Sequence, residues 1–184
     1  TLMPLSQFLR LVSIDDLLFY RLGRLSCLLL ALALPCVVQA SEVWTGWVSW
    51  VMDGDTVLLV REGQHEPVKL RIDGIDAPET CQPGGPEARD AMIRLALRKS
   101  VQVLDHGQDV YGRQIGRLSV DGVDLGAEMV RSGMAWAYRF RTGKGPYAGL
   151  QRQAQKQKIG VFSAPETAMS PPVFRKFHGT CHGA

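Results

Sequence analysis

From Val43 to Asp76 apolar and polar positions alternate as they do in half-buried strands. Val48, Trp50 and Met52 fall on one face, Thr56, Leu58 and Val60 continue the alternation, and Val68, Leu70 and Ile72 repeat it. The Asp53-Gly54-Asp55 turn breaks the pattern, so the stretch reads as an antiparallel meander. The period then lengthens. Pro86 suits a first helical position, and Ala88, Ala91, Met92, Leu95 and Ala96 form one stripe, with Arg98 and Lys99 fitting a last turn; a helix ending near Ser100 is predicted. Val101 and Val103 indicate another strand, and Ile115, Leu118 and Val120 one more beyond the Tyr111-Gly112-Arg113 turn. Asp124 can cap a helix running through Arg131, which Gly133 ends in a left-handed conformation. After Gly143, Gly145 and Pro146 a third helix is read from Tyr147 to about Lys158, with Tyr147, Leu150 and Ala154 inward and Gly160 as its stop. Trp44, Trp47 and Trp50 are expected as core or edge cover. The pattern predicts an α+β, mainly β fold: a small five-stranded barrel capped by about three helices.

The N-terminal stretch follows another logic. Arg21 and Arg24 precede an apolar run from Leu25 to Leu34, and Val38-Gln39-Ala40 places short residues where a signal peptidase reads. The run is short for a bilayer span. Residues 1–40 are therefore expected to be a secretory signal cleaved after Ala40, with a retained membrane-targeting segment as the alternative, and the protein to be secreted or periplasmic. A lipoprotein reading would need Cys27 or Cys36, but Leu34-Pro35 before Cys36 makes a poor acylation motif. Residues 41–164 form the expected domain, and the prolines at 165, 171 and 172 suggest an extended C-terminal tail over 165–184.

With 46% hydrophobic and 21% charged residues, the 184-residue chain has the composition of an ordinary globular protein with one core. Its net charge of +3 is a mild basic bias, compatible with polyanions without implying them. Of four cysteines, two lie in the presumed signal, leaving Cys81 and Cys181, which export would allow to pair. His178, Cys181 and His182 are three possible metal ligands, but no second ligand pair of standard spacing accompanies them, and a loose polar tail is the expectation.

Three segments carry the chemistry: Asp53-Gly54-Asp55-Thr56; Arg71-Ile72-Asp73-Gly74-Ile75-Asp76-Ala77-Pro78-Glu79-Thr80; and Tyr111-Gly112-Arg113. Each alone is weak, since Asp-Gly-Asp is a common turn and Tyr-Gly-Arg could simply join strands. Together they offer two carboxylates for a hard cation, a third for a base, and two guanidinium groups for a phosphate. No histidine or cysteine lies in them, which argues against zinc, whereas calcium and magnesium both fit.

These segments resemble the staphylococcal-type thermonuclease (micrococcal nuclease) family over roughly Val48 to Phe162. The resemblance implies an OB-fold barrel and a calcium-dependent phosphodiesterase that cleaves DNA and RNA and leaves 3′-phosphorylated products. It implies Asp55 and Asp76 as calcium ligands together with the backbone carbonyl of Ala77, which stands where the family has threonine. Arg71, Glu79 and Arg113 match the catalytic residues. Tyr111 is the first candidate for nucleotide contact and Tyr138 the second, while Arg139, Arg141 and Lys144 could follow a phosphate backbone or form a solvated loop. The loop Cys81-Gln82-Pro83-Gly84-Gly85 is shorter than the family's and has no counterpart of a family lysine. The alternative is a non-catalytic nucleic-acid-binding module of the same fold, which the presence of all five charged motif residues disfavours. A peptidoglycan- or protein-binding module would leave them unexplained. Nucleic acid is the expected partner; no stable protein partner is indicated, a monomer is expected, and membrane contact is foreseen only through an uncleaved N-terminal segment.

Overall fold

Five strands of the computed structural model, which describes residues 42–138 and 145–181, close into a mixed barrel. β1 (Val43–Val51) pairs antiparallel with β2 (Thr56–Arg61) on one side and β5 (Ser100–Gln108) on the other. β2 pairs with β3 (Pro67–Ile72), and β5 with β6 (Gln114–Val120). The ring closes where β3 and β6 run parallel through Leu70–Gln114, Arg71–Ile115 and Ile72–Gly116. β7 (Val123–Asp124) adds to β6, while β4 (Ile75–Asp76) pairs apart from the barrel with β8 (Trp136–Ala137).

Inside the barrel Val48, Val51, Val57, Leu59, Leu70, Ile72, Val101, Val103 and Leu118 are buried. One end is covered by α1 (Gly85–Ala96) and α2 (Leu125–Arg131), whose Ala88, Met92, Leu125 and Met129 join the same core. Asp124 caps α2 by accepting the Ala127 N–H at 3.0 Å, and also accepts the Tyr147 hydroxyl at 2.7 Å. Tyr147 precedes α3 (Ala148–Gln157), which is followed by a 3-10 turn (Gly160–Phe162).

Four details depart from the sequence pattern. A bulge between Val48 and Trp50 shifts β1 by one residue, so Trp50 turns outward rather than sharing the inner face with Val48. Trp47, which alternates with buried Val48, and Trp50 are both exposed rather than core; of these three tryptophans Trp44 alone is buried, and Trp50 lies under the Arg89 guanidinium at 5.4 Å. In β2, Val57 and Leu59 are fully buried while Leu58 is partly exposed. α1 stops at Ala96, four residues short of Ser100, because the following backbone is used by β1: Arg98 N–H donates to Val48 O (2.8 Å) and Val48 N–H to Lys99 O (3.2 Å). Lys158, rather than Gly160, takes the left-handed position that ends α3.

The C-terminal stretch is not simply extended. Residues Pro171–His178 form a helix, α4, with prolines in its first turn and Arg175, Lys176 and His178 in its last. Phe174 buries its ring and stacks on His178 at 4.6 Å, and Cys81 and Cys181 are joined by a disulfide that ties α4 to the loop ahead of α1. Cys181 is thereby withdrawn from any metal site with its neighbouring histidines. Residues 1–40, including the expected signal, lie outside the described residues. Among the described residues no helix is long and apolar enough to cross a membrane.

Candidate active site

The turn between β1 and β2 is built to hold one carboxylate. Asp53 Oδ1 accepts the Asp55 N–H at 3.0 Å, and Met52 and Asp53 both donate backbone N–H groups to Thr56 O. Gly54 presses against α1 and the chain after β4, where an added Cβ would stand 2.7 Å from Ala77 Cβ and 3.0 Å from Ala88 Cβ. That close approach sets Asp55 beside Ala77, whose N–H donates to Asp55 Oδ2 at 2.8 Å. Thr56 Oγ1 donates to Asp55 Oδ1 at 2.9 Å.

Arg71 lies opposite Thr56 in the β2–β3 register, so its side chain meets the same carboxylate. Its Nη1 is 2.5 Å from Asp55 Oδ1, and its Nη2 donates to Asp76 Oδ1 at 2.9 Å and to Ile75 O at 3.3 Å. Asp76 is placed by β4, opposite Trp136 of β8, and is fully buried. A second guanidinium arrives from α4: Arg175 Nη2 lies 2.8 Å from Asp76 Oδ2, and its Nη1 donates to Asp76 Oδ1 at 3.2 Å and to Glu79 Oε1 at 2.8 Å. Glu79 sits at the rim of the cluster, its loop held by buried Gln82. The Gln82 N–H donates to Glu79 O at 2.9 Å, and its side-chain amide donates to Met169 O at 2.6 Å.

Burial opposes charge throughout this cluster. It acts against ionisation of Asp55, but the Arg71 guanidinium and the Ala77 N–H outweigh it and hold the carboxyl below the usual carboxylate range. Asp76 is pushed up by burial, and the Arg175 bonds counter this only in part. Asp53 is raised to about 7 by burial and by the neighbouring Asp55 charge. Both arginines also lose solvation, yet their carboxylate partners keep them firmly charged.

Arg113 stands apart. Its Nη2 and Nε lie 2.6 Å and 2.7 Å from Asp109 Oδ2 in the β5–β6 hairpin, and among the described residues it makes no hydrogen bond or ion pair to Asp55, Asp76 or Glu79. Tyr111 is exposed at the tip of that hairpin with the Arg113 guanidinium 5.4 Å from its ring centre. Tyr138 is half-buried, and its N–H donates to Gly74 O at 2.9 Å. Arg139, Arg141 and Lys144 lie outside the described residues.

Sequence reading missed Arg175 and Gln82. Ser170 followed by two prolines and a basic last turn signals the start and end of a short helix. No local pattern reveals that this helix packs so that its arginine reaches Asp76, 99 positions away.

The donor set is oxygen-only, which suits a hard cation such as Ca²⁺ or Mg²⁺. Among the described residues, however, no group of three or more His, Cys, Asp and Glu side chains is arranged to hold a metal ion. The carboxylates are instead gathered around two guanidinium groups.

Residues 69–164 match the family model described as "Staphylococcal nuclease homologue". The chain is 34% identical to a protein of Shigella flexneri named "Micrococcal nuclease", covering 84% of this chain and 94% of that protein. It is 35% identical to "Protein ParB" of Escherichia coli, over 79% and 89% of the two chains. A protein of Haemophilus influenzae named as an uncharacterized endonuclease is 31% identical over 68% of this chain and 70% of its own.

Proposed function

We propose that this chain, which belongs to the staphylococcal nuclease family and is a nuclease, hydrolyses DNA and RNA in the presence of calcium and leaves 3′-phosphorylated products. The observation that carries the reading is the meeting of Asp55, Asp76 and Glu79 around shared guanidinium groups, with Arg71 joining the first two. Relatives named as a micrococcal nuclease and as endonucleases support the reaction class.

Asp55, Asp76 and the Ala77 carbonyl would hold the calcium ion, which when bound supplies positive charge to a phosphoryl oxygen and the attacking water. Arg71 meets the charge that builds on phosphorus with a planar fork, which lysine does not reproduce. Glu79 orients the water and takes its proton as the water oxygen bonds to phosphorus. The bond from phosphorus to the 5′ oxygen breaks and that oxygen takes up a proton from solvent, giving a 5′-hydroxyl on one fragment of the cleaved strand and a 3′-phosphate on the other. Arg113 reaches the phosphate only after leaving Asp109, so substrate must draw its guanidinium away from that partner. Tyr111, exposed at the tip of the β5–β6 hairpin, is the residue proposed to stack on a base.

Export is part of the proposal. The apolar run from Leu25 to Leu34, with the expected cleavage after Ala40, and the Cys81–Cys181 disulfide both suit a secreted or periplasmic protein. The test is incubation of the oxidised protein with plasmid DNA and with total RNA, in calcium and then in chelator, followed by end-group analysis. Cleavage that stops with chelator and products carrying 3′-phosphates are expected; binding without cleavage would leave only a nucleic-acid-binding module.

A further inference from the structure

We propose that Arg175 is a tethered occupant of the cation site, which a divalent ion must displace, and that the Cys81–Cys181 disulfide keeps it there. The inference rests on the reading of Asp76 as a cation ligand. Its geometric basis is the coverage of that carboxylate. Asp76 Oδ2 faces Arg175 Nη2 at 2.8 Å, while Oδ1 takes both Arg175 Nη1 at 3.2 Å and Arg71 Nη2 at 2.9 Å. Glu79 Oε1 is held by the same Arg175 Nη1 at 2.8 Å. Three of the carboxylate's roughly four acceptor positions are thus taken by guanidinium N–H groups, two of them by Arg175, so a cation that binds Asp76 has to compete with that fork.

Charge leads to the same competition. Asp55, Asp76 and Glu79 carry three negative charges when ionised, and Arg71 returns one positive charge. A divalent ion alone would neutralise the remainder. Arg175 and the ion together would overshoot, leaving a buried cluster with an excess positive charge, which is costly.

The arginine is delivered by a segment fixed at two points on the loop that carries Glu79. Cys81, two residues beyond Glu79, bonds to Cys181, and Gln82 donates to Met169 O at 2.6 Å. Phe174, beside Arg175 in α4, is buried against the fold. These attachments lie on both sides of Arg175 and make its pairing an intramolecular event with a high effective concentration. Opening the disulfide frees one side. A reductant would therefore loosen the arm and favour the cation.

Calorimetric titration of the full-length protein with CaCl₂, in the absence of nucleic acid, tests the competition directly. Arg175→Gln is expected to tighten calcium binding by roughly tenfold or more, the scale of hydrogen bonds to charged groups. Lys176→Ala, which removes a positive charge from the exposed side of the same helix, should change it less than twofold. Cys81→Ser/Cys181→Ser should tighten binding in the wild-type background and have little further effect in Arg175→Gln. Circular dichroism confirms that each variant is folded. If wild-type protein binds calcium through Asp76, as loss in Asp76→Asn would report, but Arg175→Gln binds it no more tightly, the competition is overturned while the cation site stands. The same holds if Arg175→Gln leaves calcium affinity unchanged and weakens binding of a short oligonucleotide, which would make Arg175 a substrate contact. If no variant binds calcium, magnesium or manganese, the cation reading and this inference both fall.

Discussion

Adding one methyl group at Gly54 should damage the active site from the inside. The Cβ of Gly54→Ala would stand 2.7 Å from Ala77 Cβ, 3.0 Å from Ala88 Cβ and 3.3 Å from Met129 Cε. Carbon atoms rest about 3.5 to 4.0 Å apart, so the Asp55 turn and Ala77 must separate by roughly 1 Å, whereas Met129 can simply bend aside. Overpacking of this kind costs about 1 to 3 kcal/mol. The functional cost should be larger than that suggests, because the displaced pieces are the two sides of the Asp55–Ala77 contact, and a misplacement of about 1 Å can lower a rate by roughly 10²-fold. Urea unfolding measures the first effect, and turnover of plasmid DNA at a temperature where both proteins are fully folded measures the second. Ala77→Gly in the same chain removes the closest clash and keeps the backbone carbonyl, so the double variant should recover most of both losses. A Gly54→Ala protein with wild-type turnover, or a double variant no better than the single one, would refute the idea that this contact sets the site.

Other consequences are as open to measurement. Glu79→Gln keeps the side chain's size and loses its charge; turnover should fall by roughly 10²-fold or more, with oligonucleotide binding retained in a filter assay. Arg71→Lys should lower turnover although it preserves charge, because Asp55 and Asp76 are bridged by two separate guanidinium nitrogens. Cys81→Ser/Cys181→Ser opens a loop of 100 residues and should cost up to about 4 to 5 kcal/mol, read by calorimetry as a midpoint lower by up to roughly 10 to 20 °C. Tyr147→Phe loses the bond to Asp124 and should cost about 1 kcal/mol in urea unfolding, with turnover unchanged.

Local chemistry explains which parts of this molecule could be read in advance. Strands and helices were legible where punctuation is strong: Asp124 and Gly133 bracket α2, and Pro86 opens α1. The end of α1 was not, because Arg98 and Lys99 are good last-turn residues whose backbone is claimed by Val48. Facing on β1 failed for a similar reason, since a single extra residue after Val48 turns Trp50 outward. At the site, Asp55, Arg71, Asp76 and Glu79 were legible through motif spacing, and the structure gathers them. Arg113 belongs to the same motif set but is engaged by Asp109, four residues before it, an interaction as local as a turn and invisible to a motif. Arg175 was beyond reach because its position depends on how the far end of the chain docks.

The parallel seam between β3 and β6 joins events that a folding chain could otherwise separate. Antiparallel hairpins such as β1–β2 and β5–β6 need only neighbouring sequence, whereas Arg71 and Ile115 must find each other across the intervening β4, α1 and β5. Arg71 is one of only three residues of β3 in that seam, and it is also the arginine that bridges Asp55 and Asp76. The β2–β3 pairing can set Arg71 beside Asp55 from neighbouring sequence alone, but the hairpin that carries Arg113 comes alongside Arg71 only when the ring shuts, and cleavage that needs both arginines would wait for that closure. For an enzyme that attacks nucleic acid, such an order would keep the unfinished chain harmless to the cell that makes it.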